Sequence, residues 1–209
     1  MAQAVDEVFN RNQTFYTDDL SDTAIAFRIR TLRIEPGSYT DPVVCNLDTQ
    51  SLSTGSGYWA LSCSWGTTAD PVSITINGQP GFTVTQNALA ALRRVRDPSD
   101  TVTLWVDAIY IDQTNVLERN SQVAAMGDIY RHAELVIFWL GPCGATVLGQ
   151  VEGRECGTHT LQDTNGLLSV RCDDVPLLRD DVGAKSSWWW RVWTVCSTKP
   201  EPSYRMLYD

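Results

Sequence analysis

Leu104-Trp105-Val106-Asp107-Ala108-Ile109-Tyr110-Ile111-Asp112-Gln113 is an apolar run interrupted by one acid and closed by a second. Its branched and aromatic residues predict a buried strand over 103–111, with Asp107 in mid-course and Asp112 where the chain returns to the surface. A carboxylate withdrawn from water must be paired or hydrogen-bonded, or it neutralises. Asp107 therefore calls for a partner, for which Arg119 and Arg191 are the candidates. The pairing either ties the fold or marks a site.

Downstream of this run, Asn115 and Glu118 have the spacing of a helix cap with an acid three positions later. Val116, Val123, Met126, Ile129, Tyr130 and Ala133 recur at helical intervals and predict a helix to His132 with that side against a sheet. Residues 134–140 read as another buried strand, stopped by Gly141-Pro142. Residues 143–187 lose all apolar period and form an irregular excursion. The apolar pattern resumes at Trp188, and the chain ends in a tail interrupted by prolines.

Upstream, residues 1–24 read as a polar arm with room for one helical turn, and residues 25–209 as a single domain carrying the excursion. A strand is expected over 27–34, a short one over 43–47, and a loop over 51–57. Tyr58 to Ser62 is strand-like, with Gly66 as a sharp exit. Ile74 to Ile76 followed by Asn77-Gly78 signals a hairpin. Thr85 suits the cap of a helix over 86–96 with Leu89, Leu92 and Val95 inward, stopped by Asp97-Pro98. Helices between buried strands predict an α/β fold: a mainly parallel central sheet flanked by helices in three layers, flavodoxin-like. In such sheets ligands sit beyond the carboxyl ends of the strands, here 62–66, 112–115 and 141–143.

The composition narrows the function. Sixteen basic and 25 acidic residues give a net charge of −9, which opposes binding to nucleic acid or anionic membrane. No apolar run is long enough to span a bilayer, and the opening residues lack a secretory signal, so a cytoplasmic protein is expected. The six cysteines form no C-x-x-C pair and there are only two histidines, so no metal site is expected.

The residues on these elements resemble the fungal heterokaryon-incompatibility (HET) domain. Tyr58, Ala60, Leu61, Ser62, Trp65 and Gly66 match its opening motif. Leu104, Trp105, Asp107, Ala108, Ile111 and Gln113, then Glu118, Arg119, Gln122, Val123, Met126, Ile129, Tyr130, Ala133, Trp139, Leu140 and Gly141, match its centre without a break in spacing. Arg191, Val192 and Trp193 begin its closing motif, while Cys196 and Ser197 stand where Gln-Glu belongs. The resemblance implies a sheet similar to Toll/interleukin-receptor (TIR) domains and a role in non-self recognition and programmed cell death. Some TIR-like domains cleave NAD, so NAD is a candidate substrate; no cofactor is called for.

Candidate acid–base residues are Asp107, Asp112, Glu118 and Tyr130. Candidate binding residues are Tyr58, Ser62, Trp65, Trp139, Arg119 and Arg191. Each has a structural alternative: Asp107 as an ion-pair tie, Glu118 as a helix cap, Asp112 as a turn residue, and the tryptophans as core. An effector of incompatibility leads, with a small-molecule enzyme of secondary metabolism as the alternative. Adjacent Trp188, Trp189 and Trp190 cannot all be buried in a strand. They offer a surface for a protein partner or self-association, beside a small-molecule ligand at the strand ends.

Overall fold

The computed structural model describes residues 11–20, 27–53, 57–63, 70–112 and 114–139, together with the backbone of 167–168 and 204–207. Seven strands and two long helices make the body of the fold. The strands are β1 (Arg28–Ile34), β2 (Val44–Ser51), β3 (Trp59–Cys63), β4 (Val72–Ile76), β5 (Gln79–Val84), β6 (Val102–Val106) and β7 (Leu135–Trp139). The long helices are α1 (Gln86–Val95) and α3 (Val116–His132), with a single turn, α2 (Asp107–Tyr110), between β6 and α3. Two short strands, β8 (Leu167–Leu168) and β9 (Tyr204–Leu207), extend the sheet to the order β5-β4-β2-β1-β6-β3-β7-β9-β8.

The sheet is mixed, which corrects the expectation of a mainly parallel one. β1 runs antiparallel to both β2 and β6, and β4 antiparallel to β5. β3 runs parallel to β6 and β7, and β2 parallel to β4. The reason lies in the connections. Parallel neighbours need a long crossover, whereas β1 to β2 and β4 to β5 are joined by links without a helix. The β6-β3-β7 core has such crossovers, with α1 between β3 and β6 in the chain and α2 and α3 between β6 and β7. In the β4–β5 hairpin Asn77 and Gly78 both take positive φ, 53° and 74°, the geometry that two-residue hairpin turns require.

Helix α1 follows the sequence reading. Thr85 Oγ1 accepts the Ala88 N–H at 3.1 Å, and Ala88, Ala91, Leu92 and Val95 are buried. Leu89 is only partly buried against the core. Two tryptophans place the helices on opposite faces. Trp105 stacks edge-on to Tyr130 of α3 at 5.3 Å and lies level with Ala60. Trp139 donates its indole N–H to Asn87 of α1 at 2.8 Å and lies level with Cys63. Residues 60 and 63 of one strand project to opposite sides. The helices therefore cover both faces.

Three sequence expectations change. The strand holding Asp107 ends at Val106, and Asp107 opens the turn α2. An apolar run of this length does not distinguish a strand from a buried helical turn. In α3, Val116 and Val123 point outward at 54% and 53% exposure, with Leu117 at 72%. Glu118 and Gln122 take the inward positions with Ile129 and Tyr130. The helical period holds, but in the first half of α3 the apolar residues face outward, because the buried polar residues Glu118 and Gln122 claim the inner side. Finally, β2 runs to Ser51, beyond the strand expected over 43–47, and β9 pairs parallel to β7 in the tail beyond Pro200 and Pro202.

The described part of the arm is docked. Gln13–Phe15 form the single helical turn expected there, of 3-10 type. Phe15 and Tyr16 pack edge-on to Phe82 at 5.3 and 6.2 Å. The Asn12 side-chain amide donates to Thr83 O and accepts the Thr83 N–H, both at 2.8 Å.

Candidate functional site

The parallel core brings three strand ends to one rim. Leu61 is level with Val106, and Cys63 with Trp139. Ser62, Asp107 and Trp139 thus arrive at the same edge of the sheet. Gly66, Gln113 and Gly141, expected beside them, lie outside the described residues. So do Trp65, Arg191, His159 and the Trp188 to Trp190 run.

The chain leaves this rim through α2 and a short loop. In the loop Asp112 is half-buried, and its Oδ1 accepts the Thr114 N–H at 2.9 Å and the Thr114 hydroxyl at 2.6 Å. Gln13 from the arm donates to that same hydroxyl at 2.7 Å. Asn115 then caps α3 by accepting the Glu118 N–H at 3.2 Å. The Glu118 carboxylate does not complete the reciprocal cap that its spacing suggests. It turns inward, accepts the Asp112 N–H at 3.0 Å and meets both terminal nitrogens of Arg30, one of them at 3.0 Å.

Arg30 and Glu118 are 2% and 1% exposed. Their fork-to-fork contact is the geometry in which arginine recognises a carboxylate most strongly. Arg30 also donates to Asp18 O and lies 4.9 Å from the centre of the Tyr16 ring, a cation–π distance. The Tyr16 hydroxyl donates to Ile109 O at 2.8 Å. Burial pushes its pKa well above the ordinary tyrosine range; the Arg30 cation opposes that shift, and Asp112 and Glu118 add to it. Arm, β1, α2 and α3 all converge on this one pair.

The other candidates separate. Asp107 is buried at 2% exposure, one position beyond Val106. Arg30–Glu118 is a buried ion pair among the described residues; of the two partners expected for Asp107, Arg191 lies outside the described residues. Arg119 is half-buried in the first turn of α3, with its N–H on Asn115 O at 2.9 Å. Tyr130 packs on Trp105 beneath the rim. Trp139 reaches the rim on the opposite sheet face, toward α1. Tyr58 lies at the far edge, where its hydroxyl donates to Ile129 O and burial raises its pKa.

Arg30, Tyr16 and Trp105 were not among the candidates. The signal for Arg30 was an arginine on the same strand face as Leu32 and Ile34, which asks for a buried acid. Among the described residues no group of histidine, cysteine and acid side chains could hold a metal ion. No described helix is long and apolar enough to cross a membrane.

A mixed α/β sheet whose parallel core gathers a serine and acids at one rim defines the class. The model of the heterokaryon incompatibility protein (HET) family matches residues 58–196, and the chain belongs to that family. It is 33% identical over 141 residues to heterokaryon incompatibility protein 6, OR allele, of Neurospora crassa, an alignment covering 61% of this chain and 21% of that protein. The chain thus spans about a fifth of that relative's length. No solved structure matches it.

Proposed function

We propose that this chain is an effector module of fungal non-self recognition, and that its activity resides at the rim formed by β3, β6 and β7. The observation that carries this reading is the gathering of Ser62, Asp107 and Asp112 at one edge of a HET-family domain, with Asp112 alone half-open to solvent. Asp112 is the acid–base group of the proposal, since the Glu118 carboxylate is engaged by Arg30 and by the Asp112 N–H. Expression of the whole chain in a susceptible fungal host tests it. Growth arrest that is lost in Asp112→Asn is expected, because that change keeps Oδ1 for Thr114. Unaffected growth at high expression overturns it.

The narrower reading is hydrolysis of NAD, for which release of nicotinamide by the pure protein is the assay. The second reading is an enzyme acting on a small molecule, which the half-open Asp112 also favours. It predicts that Asp112→Asn abolishes turnover in a host whose growth the protein never affected.

A further inference from the structure

Two buried polar atoms on one face of the parallel core have no hydrogen-bond partner among the described residues: Ser62 Oγ and Trp105 Nε1. Both residues are fully buried. They belong to neighbouring strands, and Trp105 is level with Ala60, two residues before Ser62. Residues two apart share a face, so both side chains lie on the side covered by α3. Strand spacing of roughly 4.8 Å and a rise of about 3.3 Å per residue put the two positions about 8 Å apart. Ala60, level with Trp105, contributes only a methyl group beside the indole.

A buried polar group without a partner is strongly disfavoured, and native proteins almost always satisfy such groups with protein or a bound molecule. We infer that Ser62 and Trp105 form a binding site for a neutral hydroxyl oxygen, lying under α3 just inside the rim. The chemistry of the two groups sets the ligand class. An indole N–H can only donate, so the ligand atom must accept. The serine hydroxyl can donate or accept. Full burial of both residues makes a charged ligand atom costly, so the occupant is neutral. An O–H group meets all three demands, whether from an ordered water or from a sugar hydroxyl. The site does not depend on the proposed role in incompatibility, and its test reads no biological activity.

The test is a sign. If Ser62 Oγ is an orphan, Ser62→Ala removes a buried polar group at no loss and raises Tm. If it holds a bound oxygen, the same change strands that oxygen and lowers Tm by about 2–4 °C. Wild-type protein supplies a second readout. The Trp105 indole proton, assigned by its loss in Trp105→Phe, should show an NMR cross-relaxation peak to a long-lived water. Addition of ribose distinguishes the sources: a shifted Trp105 peak marks a sugar-hydroxyl site, and an unmoved one with the water peak intact marks water as the occupant. A higher Tm for Ser62→Ala, with neither water peak nor ribose shift, overturns the inference.

Discussion

Arg30 and Glu118, 88 residues apart in sequence, form a buried ion pair between β1 and the first turn of α3. Glu118 lies within the family-matched residues 58–196, whereas Arg30 lies upstream of them. The pair therefore binds the family region to a strand outside it. Removing one partner leaves a charge buried and uncompensated. Arg30→Gln should cost about 3–5 kcal/mol in urea unfolding, well beyond a surface ion pair. Arg30→Lys should recover only part of that, because an ammonium cannot reproduce the fork. An Arg30→Gln protein as stable as wild type would show that the pair contributes nothing.

A fragment beginning at Tyr58 should not fold. It lacks β1, whose Leu32, Arg33 and Ile34 pair with Leu104, Thr103 and Val102 of β6, and it leaves Glu118 without its cation. Its amide NMR spectrum is expected to be collapsed, against a dispersed one for the full chain.

The inverted face of α3 makes a paired prediction. Leu117→Lys and Val123→Gln replace exposed residues and should stay within ~0.5 kcal/mol of wild type. Gln122→Ala exchanges a polar residue for a helix-favouring one, yet should cost about 1–3 kcal/mol, because buried Gln122 donates its Nε2 to the Arg28 carbonyl at 2.9 Å and the change removes that bond. Equal effects at the exposed and buried positions would contradict the assignment of faces.

Three buried weak acids should make the fold alkali-sensitive. Burial pushes the Cys45 thiol from 9.0 up to about 12, with Arg96 opposing and Glu35 adding. Tyr16 and Tyr58 are both raised above 10.0, chiefly by burial. A raised folded-state pKa means that the unfolded chain loses its proton first. The contribution of Cys45 is complete below pH 9 and is lost as pH rises toward 12, and the tyrosines follow above pH 10. Urea midpoints measured from pH 7 to 11 should be flat at first and then decline. Cys45 should also resist iodoacetamide at pH 8 in the folded protein and react in urea, as peptide mapping would reveal.

The legible parts of this fold were those with local chemistry. Thr85 and Asn115 announced their helices by capping, Asn77-Gly78 its hairpin, and the Trp105 and Trp139 runs their strands. Strand direction was not legible, because antiparallel pairing of β1 with β6 depends on contacts across the whole sheet. Nor was the facing of α3. A helical period gives the angle between residues but not which side meets the core. Here the answer depended on Arg30, a residue 88 positions from its acid. Strand ends pointed to Ser62 and Asp112; that Glu118 beside them is locked by Arg30 while Asp112 is half-open required the geometry.

Asn12 also has a consequence for the state of the protein in solution. It occupies both backbone hydrogen-bonding groups of Thr83 on β5, the terminal strand of the sheet. An uncovered outer strand is a template on which another chain can add, copy after copy. A single asparagine in the arm blocks that template near its C-terminal end. The sheet stays finite on this side because its last strand is already answered from within the same molecule.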